Sequence, residues 1–256
     1  MKTEKMFKKP ILKTDEQLTM RRVLALVFIP AILLLSFFLV SSMLLKDIVP
    51  VYLCLLLSIA VTIVPFELAV IVDTNRKQFG KNGLQAAFIG HSTMAWWKIV
   101  LLALLLFSWA GLVFTLLQPI ENSLLIHSVF RFVPEFLLST NFIAQLVTFP
   151  KWIIAVTCII NLIFNGLIAP IVEELYFRGY LMSRLERFGK AAPLIVAVLF
   201  SVYHLFTPWE NITRIVALAP LHYVVWNKKN LYIGMLAHCA CNLAGVIPLF
   251  GLLFVK

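Results

Sequence analysis

The sequence predicts an all-α membrane protein, a polytopic bundle of about seven transmembrane helices, or eight. Of its 256 residues, 61% are hydrophobic and only 13% are charged, whereas soluble domains are roughly half apolar and one quarter charged. Apolar runs of roughly 20 residues, the length that crosses about 30 Å of hydrocarbon, recur along the chain. Tryptophan residues lie near the ends of these runs, where an indole ring prefers the headgroup layer. These observations exclude an ordinary soluble globular protein.

The apolar runs divide the chain into spans and into three parts. Spans are predicted at 23–45, 50–72, 98–119, 152–180, 191–208, 211–226 and 231–253. The sixth is short and carries Pro220. Residues 1–22 are a basic cytoplasmic segment, 23–150 hold the first helices and an outer loop, and 151–256 hold the polar motifs. The loop, at 120–150, is expected to lie in the outer membrane interface as one or two amphipathic pieces.

The basic residues orient the predicted helices. With the N-terminus inside, 17 of the 22 Lys and Arg residues fall on the cytoplasmic side and five fall outside, as the positive-inside rule requires. The first apolar run exceeds a normal signal-peptide core, so we expect an uncleaved first helix. The compact chain favours a bacterial source. We therefore predict an integral protein of the bacterial plasma membrane with a cytoplasmic N-terminus.

The net charge of +10 suggests nucleic acid at first sight. However, the charges are scattered over short loops and a basic tail, where they lie beside anionic lipid headgroups. The expected partner is therefore the lipid bilayer and not nucleic acid. The sequence sets no oligomeric state.

The four cysteines and Glu67 are polar or reactive residues that lie inside the predicted spans. All four cysteines fall inside predicted spans, which argues against a disulfide framework, and Cys239 and Cys241 are more typical of helix packing than of a zinc site. Glu67, near the cytoplasmic end of the second span, is expected either to contribute to a polar cavity or to reach polar surroundings or pair locally. Polar surroundings or a local pair are more common than a cavity role for an acid close to the interface.

Two adjacent carboxylates stand near the end of the fourth predicted span, within the run 169–180. Acids inside a membrane are costly and often functional. Glu174 and Arg178 are four residues apart and can pair on a helix, while Glu173 points about 100° away. The spacing therefore predicts one structural acid, Glu174, and one acid that faces a cavity, Glu173.

Two further motifs place polar side chains inside apolar helices. Phe200 and His204 are four residues apart, as are His238 and Asn242, so each pair projects from one helix face. A lone membrane histidine is more often a helix contact than a catalytic residue. At 1.5 Å per residue from the predicted helix ends, both motifs and Glu173 fall in one half of the bilayer. The motifs are therefore able to meet.

The ordered set Glu-Glu-x-x-x-Arg, Phe-x-x-x-His and His-x-x-x-Asn resembles the CPBP family of intramembrane proteases. That family, also called Abi proteins, includes the type II CAAX prenyl endopeptidases. The motifs and the Phe-Arg-Gly-Tyr-Leu run after the glutamates cover roughly residues 165–246. The first three helices resemble the family only in their hydrophobicity. The resemblance implies a helical bundle around a polar chamber in which peptide bonds are hydrolysed.

The resemblance and the side-chain chemistry together assign expected roles. The expected catalytic residues are Glu173, Glu174, Arg178, His204, His238 and Asn242. The first glutamate would act as general base on a water molecule, assisted by the histidine of the second motif. The third motif would donate hydrogen bonds to the developing oxyanion. The second glutamate and the arginine would hold the helix end in place.

The role of a metal stays open at this point. Glu173, His204 and His238 are able to supply an oxygen and two nitrogens to Zn²⁺ and to leave a position for water. Similar arrangements in the family have also been interpreted as a metal-free glutamate mechanism. The His-Glu-x-x-His zinc signature and the Gly-x-Ser-x-Gly nucleophile elbow are both absent. His222 and His127 are expected to be structural.

The sequence is compatible with three classes of function. The leading one is an intramembrane endopeptidase, a metalloprotease or glutamate protease that cuts membrane-associated peptides or proteins, for example in bacteriocin processing. The alternative is a non-catalytic bacteriocin self-immunity protein or a membrane regulator of a sensor kinase. A scaffold has no physical need to bury carboxylates beside histidines. A small-solute transporter is disfavoured because inverted repeats with paired broken helices are not evident.

Overall fold

The computed structural model describes residues 16–254, which form helices joined by turns and no strand. Among these described residues, five helices are long and apolar enough to cross a membrane. They are α1 (Met20–Leu45), α2 (Val51–Phe79), α3 (Trp96–His127), α4 (Lys151–Leu181) and α7 (Leu231–Leu253). Two other helices, α5 (Ala192–Val202) and α6 (Asn211–Lys228), complete the bundle. Of the basic segment predicted at 1–22, residues 1–15 lie outside the described residues.

The all-helical membrane fold is confirmed, but the count of seven or eight spans is not. The difference lies at the predicted spans 191–208 and 211–226. The first contains α5, which has only 11 residues and is therefore about 16 Å long, roughly half the hydrocarbon thickness. The second contains α6, which has 18 residues but is not among the apolar helices because it carries charged and polar side chains. The two helices pack against each other.

Local chemistry explains where several helices begin and end. The left-handed conformation of Gly80, with φ of +68°, ends α2, a conformation that glycine adopts at little cost. The side chain of Asn230 accepts a hydrogen bond from the N–H of Tyr232 at 3.1 Å and so caps α7. Both carboxylate oxygens of Glu121, on α3, accept N–H groups from the first turn of α6 at 2.8 and 2.7 Å. This last contact ties the α5–α6 pair to α3.

The predicted loop at 120–150 is shorter than expected. Its first residues continue α3, which ends only at His127. The remainder contains the short helical pieces Glu135–Leu137, Ser139–Asn141 and Phe142–Leu146. Residues 120–127 extend the helix without a break beyond Pro119, a residue that membrane helices tolerate.

One helix face of the bundle is apolar and exposed. On α3 the exposed large side chains are Leu101, Leu104, Leu105, Trp109, Leu112 and Leu116. The opposite face of α3 packs against α6 and α7. In water such a surface would be unfavourable, whereas lipid tails solvate it without cost.

Helix α4 lies at the centre of the bundle and contacts α2, α5, α6 and α7. It is not regular along its length: residues Asn161–Ile168 and Glu174–Leu181 are π-helical and flank the α-helical turn Ala169–Glu173. Such wide turns occur mostly at functional sites. The second π-helical segment begins at the adjacent glutamates.

Candidate active site

A cavity of about 260 Å³ lies between α4, α7 and the turn that joins α5 to α6. Four of the six predicted residues line it: Glu173, His204, His238 and Asn242. The other two, Glu174 and Arg178, are buried behind this wall and expose 0% and 3% of their surface. The structure therefore separates one cavity-facing acid from one structural acid, as the helical spacing indicates.

The two adjacent glutamates contact opposite nitrogens of one imidazole ring. Nδ1 of His238 lies 2.9 Å from Oε1 of Glu174, and Nε2 of the same ring lies 3.7 Å from Oε2 of Glu173. Since Glu174 is ion-paired with Arg178, it is a hydrogen-bond acceptor, and Nδ1 carries the proton between them. In the neutral ring Nε2 is then left with its lone pair directed toward Glu173.

Arg178 is held by two contacts that the sequence spacing only partly predicts. Its Nη1 atom pairs with Oε1 of Glu174 at 3.1 Å, which is the expected (i, i+4) pair. Its guanidinium carbon also lies 4.2 Å from the centroid of the Phe200 ring, within the range of a cation–π interaction. Arg178 thus links the first motif to the second.

Glycine at position 234 makes room for the carboxylate of Glu174. A Cβ atom built on Gly234 would overlap Oε2 of Glu174. Gly234 precedes His238 by one helical turn on α7, so the missing side chain lets α4 and α7 approach closely at the level of the imidazole. This close approach permits the short contact between Glu174 and His238.

The Phe200 ring is the common neighbour of the three motifs. Its centroid lies 4.9 Å from the ring of His204 and 5.8 Å from the ring of His238, in addition to its contact with Arg178. The sequence predicts only that Phe200 shares a helix face with His204. Its position in the structure makes it a packing platform for both histidines.

His204 does not lie within a helix, contrary to expectation. Helix α5 ends at Val202, and His204 stands in the turn beyond it. Its Nδ1 atom still lies 2.7 Å from the carbonyl oxygen of Phe200. Because a carbonyl oxygen only accepts, Nδ1 carries the proton and Nε2 is left as an acceptor. The early end of α5 thus brings the imidazole to the cavity.

His222 provides a comparison for His204. Its Nδ1 atom makes the same type of contact, 2.8 Å from the carbonyl oxygen of Leu218, and its ring lies 6.0 Å from that of Phe200. Unlike His204, it is fully buried and does not line the cavity. This agrees with the structural role expected for it.

The amide of Asn242 is oriented by a neighbouring helix turn. Its Nδ2 atom donates to the main-chain oxygen of Asn165 at 2.8 Å and approaches Oδ1 of the same residue at 3.4 Å. An amide nitrogen carries two hydrogens: one is donated to the main-chain oxygen, and the other makes only the longer contact with Oδ1 of Asn165. Of the two expected oxyanion donors, Asn242 needs no added proton, whereas His238 donates through Nε2 only when it is doubly protonated.

Sequence reasoning missed Tyr203, which contacts Glu173 and links it to Glu67. The hydroxyl oxygen of Tyr203 lies 3.2 Å from Oε1 of Glu173 and 3.3 Å from Oε1 of Glu67, within hydrogen-bond distance of both carboxylates. Glu67 is fully buried, so it does not reach the polar surroundings that its position near the interface suggested. Tyr203 adjoins His204, but nothing in its local sequence marks it as functional.

A second polar group on the cavity wall was also missed. Arg214 and Glu210, both on the wall, form a buried (i, i+4) ion pair at 3.2 Å. Arg214 donates in addition to the hydroxyl of Thr207 at 2.8 Å. The (i, i+4) spacing was a signal for the pair, but the predicted boundary put Glu210 in the gap between two spans and Arg214 inside the next span.

The residues suggested as zinc ligands line one cavity without forming a metal-binding group. Within residues 16–254 no set of three or more His, Cys, Asp or Glu side chains is arranged to hold a metal ion. His238 offers Nε2 to Glu173, and His204 offers Nε2 to the cavity, but the three donors do not converge. The zinc expectation thus stays a prediction. All four cysteines are free.

Comparison with known proteins adds one match. Residues 155–244 match a family model described as type II CAAX prenyl endopeptidase Rce1-like. Over this segment the chain is similar to the CPBP/CAAX family of intramembrane proteases, which supports the resemblance of its motifs. The matched segment contains all six predicted residues but neither Glu67 nor the first three helices. Searches of curated proteins and of solved structures gave no match.

Similarity to this family has several broad consequences. It supports a hydrolase that acts on a peptide or protein substrate in a membrane context. The five long apolar helices agree with an integral membrane protein. The alternative of a non-catalytic immunity protein or regulator is not favoured.

Proposed function

We propose that this protein is an intramembrane endopeptidase that hydrolyses a peptide bond with a water molecule activated by Glu173. The observation that carries this proposal is the single cavity lined by Glu173, His204, His238 and Asn242. These side chains come from α4, the α5–α6 turn and α7, which are far apart in sequence. A buried cavity that gathers an acid, two imidazoles and an amide has the groups that hydrolysis of an amide requires.

Attack by water needs a base and a group that holds the water. Glu173 takes the proton of the water as its oxygen bonds to the scissile carbonyl carbon. His204 accepts a hydrogen bond from the same water through Nε2, since its Nδ1 is occupied by the carbonyl of Phe200. Removal of both groups from bulk water strengthens these interactions.

The proton then has a short route to the leaving amine. Nε2 of His238 lies 3.7 Å from Glu173 and is free to receive the proton, while Glu174 stabilises the resulting imidazolium through Nδ1. Asn242 donates its remaining amide hydrogen to the oxyanion, a contact worth several kcal/mol when it is preorganised. Collapse of the tetrahedral intermediate breaks the C–N bond, and the amine leaves with the proton.

The substrate class follows from the surroundings. The cavity lies inside a helical bundle with an apolar outer surface, so the substrate is a membrane-associated peptide or protein. Processing of a bacteriocin or another peptide precursor in a bacterial plasma membrane fits this class. The cytoplasmic N-terminus predicted from the basic residues would put the cavity nearer to the cytoplasmic side.

The test is cleavage of a candidate-peptide library by the purified protein in nanodiscs. We compare the wild type with Glu173→Gln and His204→Gln, and use matched controls of the same chemistry, Glu121→Gln and His222→Gln, whose side chains are buried outside the cavity. We expect Glu173→Gln to reduce kcat by about 10²-fold to 10⁴-fold. The controls should keep wild-type kcat even where they lower thermal stability.

Two outcomes would redirect the proposal. Unchanged cleavage by folded Glu173→Gln would overturn the assigned base, and absence of cleavage by every form would favour immunity or regulation. Each assay is repeated after treatment with a chelator and after addition of Zn²⁺. Cleavage that persists in the chelator would support the glutamate mechanism. Loss that Zn²⁺ reverses would instead support the metalloprotease alternative.

A further inference from the structure

One tyrosine hydroxyl lies between two buried carboxylates. The oxygen of Tyr203 is 3.2 Å from Oε1 of Glu173 and 3.3 Å from Oε1 of Glu67. Glu67 comes from α2, outside the segment that matches the protease family. The contact therefore joins the N-terminal helices to the candidate base through a single side chain.

Hydrogen counting shows that two ionised carboxylates do not fit this arrangement. A phenol has one hydrogen and donates it to one acceptor at a time. If both acids were ionised, one carboxylate would face a lone pair of the Tyr203 oxygen across 3.2 or 3.3 Å. Two hydrogen bonds need two hydrogens, and the hydroxyl supplies only one. One of the two carboxyl groups must therefore carry a proton.

The surroundings decide which acid holds that extra proton. Glu67 is fully buried, and its Oε2 atom has no hydrogen-bond partner among the described residues. The nearest motif cation, Arg178, is ion-paired with Glu174, and Glu67 has no ion pair within residues 16–254. A buried charge with one hydrogen bond and no counter-ion is strongly disfavoured. Glu173, by contrast, lines the cavity and faces the ring of His238.

We propose that Glu67 is a protonated positioning residue for the candidate base, a role that rests on the proposed protease function. Its carboxyl hydrogen is donated to the Tyr203 oxygen, and the Tyr203 hydrogen is thereby directed to Oε1 of Glu173. Oε2 of Glu173 is then left to face Nε2 of His238 at 3.7 Å. Tyr203 orients Oε1 of the base in this way, and Oε2 stays on the side of the His238 ring.

This role differs from simple packing in what it fixes. A packing role for Glu67 would affect stability and would leave the turnover of folded protein unchanged. A positioning role acts on the chemical step, so kcat falls while KM changes little. A hydrogen bond to a charged group is worth about 1.5 to 3 kcal/mol, which corresponds to a change of about tenfold to a hundredfold.

The first experiment compares Glu67→Gln, Glu67→Leu and Tyr203→Phe in the cleavage assay. Gln is close in shape to a protonated Glu and is able to donate an N–H to Tyr203, so we expect kcat within about threefold of the wild type. Glu67→Leu should lower kcat by about tenfold or more with little change in KM. Tyr203→Phe should lower kcat at least as much, and the double variant with Glu67→Leu should be no worse, because both act through one hydroxyl.

Tyr176→Phe serves as the matched control. The hydroxyl of Tyr176 is also buried and donates to the main-chain oxygen of Leu26 at 3.0 Å, away from the cavity. Its loss should reduce thermal stability and leave kcat unchanged. Wild-type kcat in folded Glu67→Leu, or losses that multiply in the double variant, would overturn the proposed role of Glu67.

An infrared measurement tests the proton without any substrate. The difference spectrum of wild type minus Glu67→Gln should contain the carbonyl stretch of a protonated carboxylic acid, shifted in D₂O. A carboxylate band in its place would refute the protonated state. If the wild type cleaves no peptide, the protease function fails, and the positioning role fails with it. Cleavage that depends on Glu173 together with a carboxylate signal at Glu67 would remove only the role of Glu67.

Discussion

His238 and Glu174 are joined by a 2.9 Å contact between Nδ1 and Oε1. The same carboxylate oxygen pairs with Nη1 of Arg178 at 3.1 Å. The ion pair keeps the carboxylate charged, and the charged carboxylate in turn fixes the proton of the imidazole on Nδ1. A structural ion pair thus determines which nitrogen of a cavity histidine is available for chemistry.

Replacing Glu174 by Gln should impair catalysis although Glu174 does not line the cavity. The amide of Gln is able to donate to Nδ1, which would move the ring proton to Nε2 and block proton acceptance from Glu173. We expect kcat to fall by about 10²-fold to 10⁴-fold, with KM nearly unchanged. Steady-state kinetics on a cleaved peptide measures both. Glu186→Gln is the control, because Glu186 pairs with Lys229 at 2.8 Å, away from the cavity. Wild-type kcat in Glu174→Gln would contradict the tautomer argument.

Replacing Arg178 by Met should destabilise the protein strongly. It leaves the buried charge of Glu174 without its cation, which costs about 3 to 5 kcal/mol in comparable buried pairs. Thermal unfolding in detergent should therefore begin at a clearly lower temperature. The double variant with Glu174→Gln should recover part of the loss, since the unpaired charge is removed.

Lys77→Met provides the comparison for Arg178→Met. Lys77 pairs with Asp73 at 2.6 Å on the exposed surface, where such a pair contributes about 0 to 1 kcal/mol. Its unfolding temperature should stay close to that of the wild type. Equal destabilisation by the two substitutions would show that burial of the Glu174–Arg178 pair does not set its contribution.

Two glycines on α7 should respond in opposite ways to alanine. At Gly234 the new methyl group would overlap Oε2 of Glu174, whose carboxylate is held by Arg178 and His238 and cannot move freely. We expect a loss of about 1 to 3 kcal/mol of stability and a lower kcat. At Gly245 the methyl group meets open space, so alanine should be neutral or stabilising by up to about 1 kcal/mol. Unfolding temperatures of both variants decide the matter, and a harmless Gly234→Ala would argue against the close approach.

Asn242 should be sensitive to loss of its amide hydrogens. Asn242→Asp keeps the shape but has no hydrogen to donate, so we expect kcat to fall by about 10²-fold to 10³-fold. Asn165→Ala should cause a much smaller loss, because the main-chain oxygen of Asn165 that accepts from Asn242 at 2.8 Å is retained. Kinetics of the two variants on one peptide gives the comparison. Equal losses would indicate that the side chain of Asn165 has a role of its own.

Local spacing predicted part of the site. The (i, i+4) relationship of Glu174 and Arg178 indicated their pair, and the step of one residue placed Glu173 on another face. Helix geometry alone is sufficient for such predictions because both partners belong to one helix. The same reasoning failed for His204, because α5 ends at Val202 and the periodicity of an apolar run does not show where a helix stops.

The contacts of Glu67 and Tyr203 were beyond sequence reasoning. The two residues are separated by 136 positions, and their contact depends on the relative depth and rotation of α2 and α5. Neither quantity is encoded in a local pattern. The platform role of Phe200 was missed for the same reason, since its contacts with Arg178 and His238 come from other helices.

By itself the sequence determined the membrane environment, the helical fold class, the polar motifs and the family they resemble, because hydrophobicity and (i, i+4) spacing act within one segment. Only the tertiary structure decided that α5 is too short to span a bilayer, that both glutamates contact one imidazole, and that Tyr203 links Glu67 to Glu173. These features arise from packing between helices. Such packing depends on side-chain volume, helix rotation and close approach, as at Gly234, and involves residues that are distant along the chain.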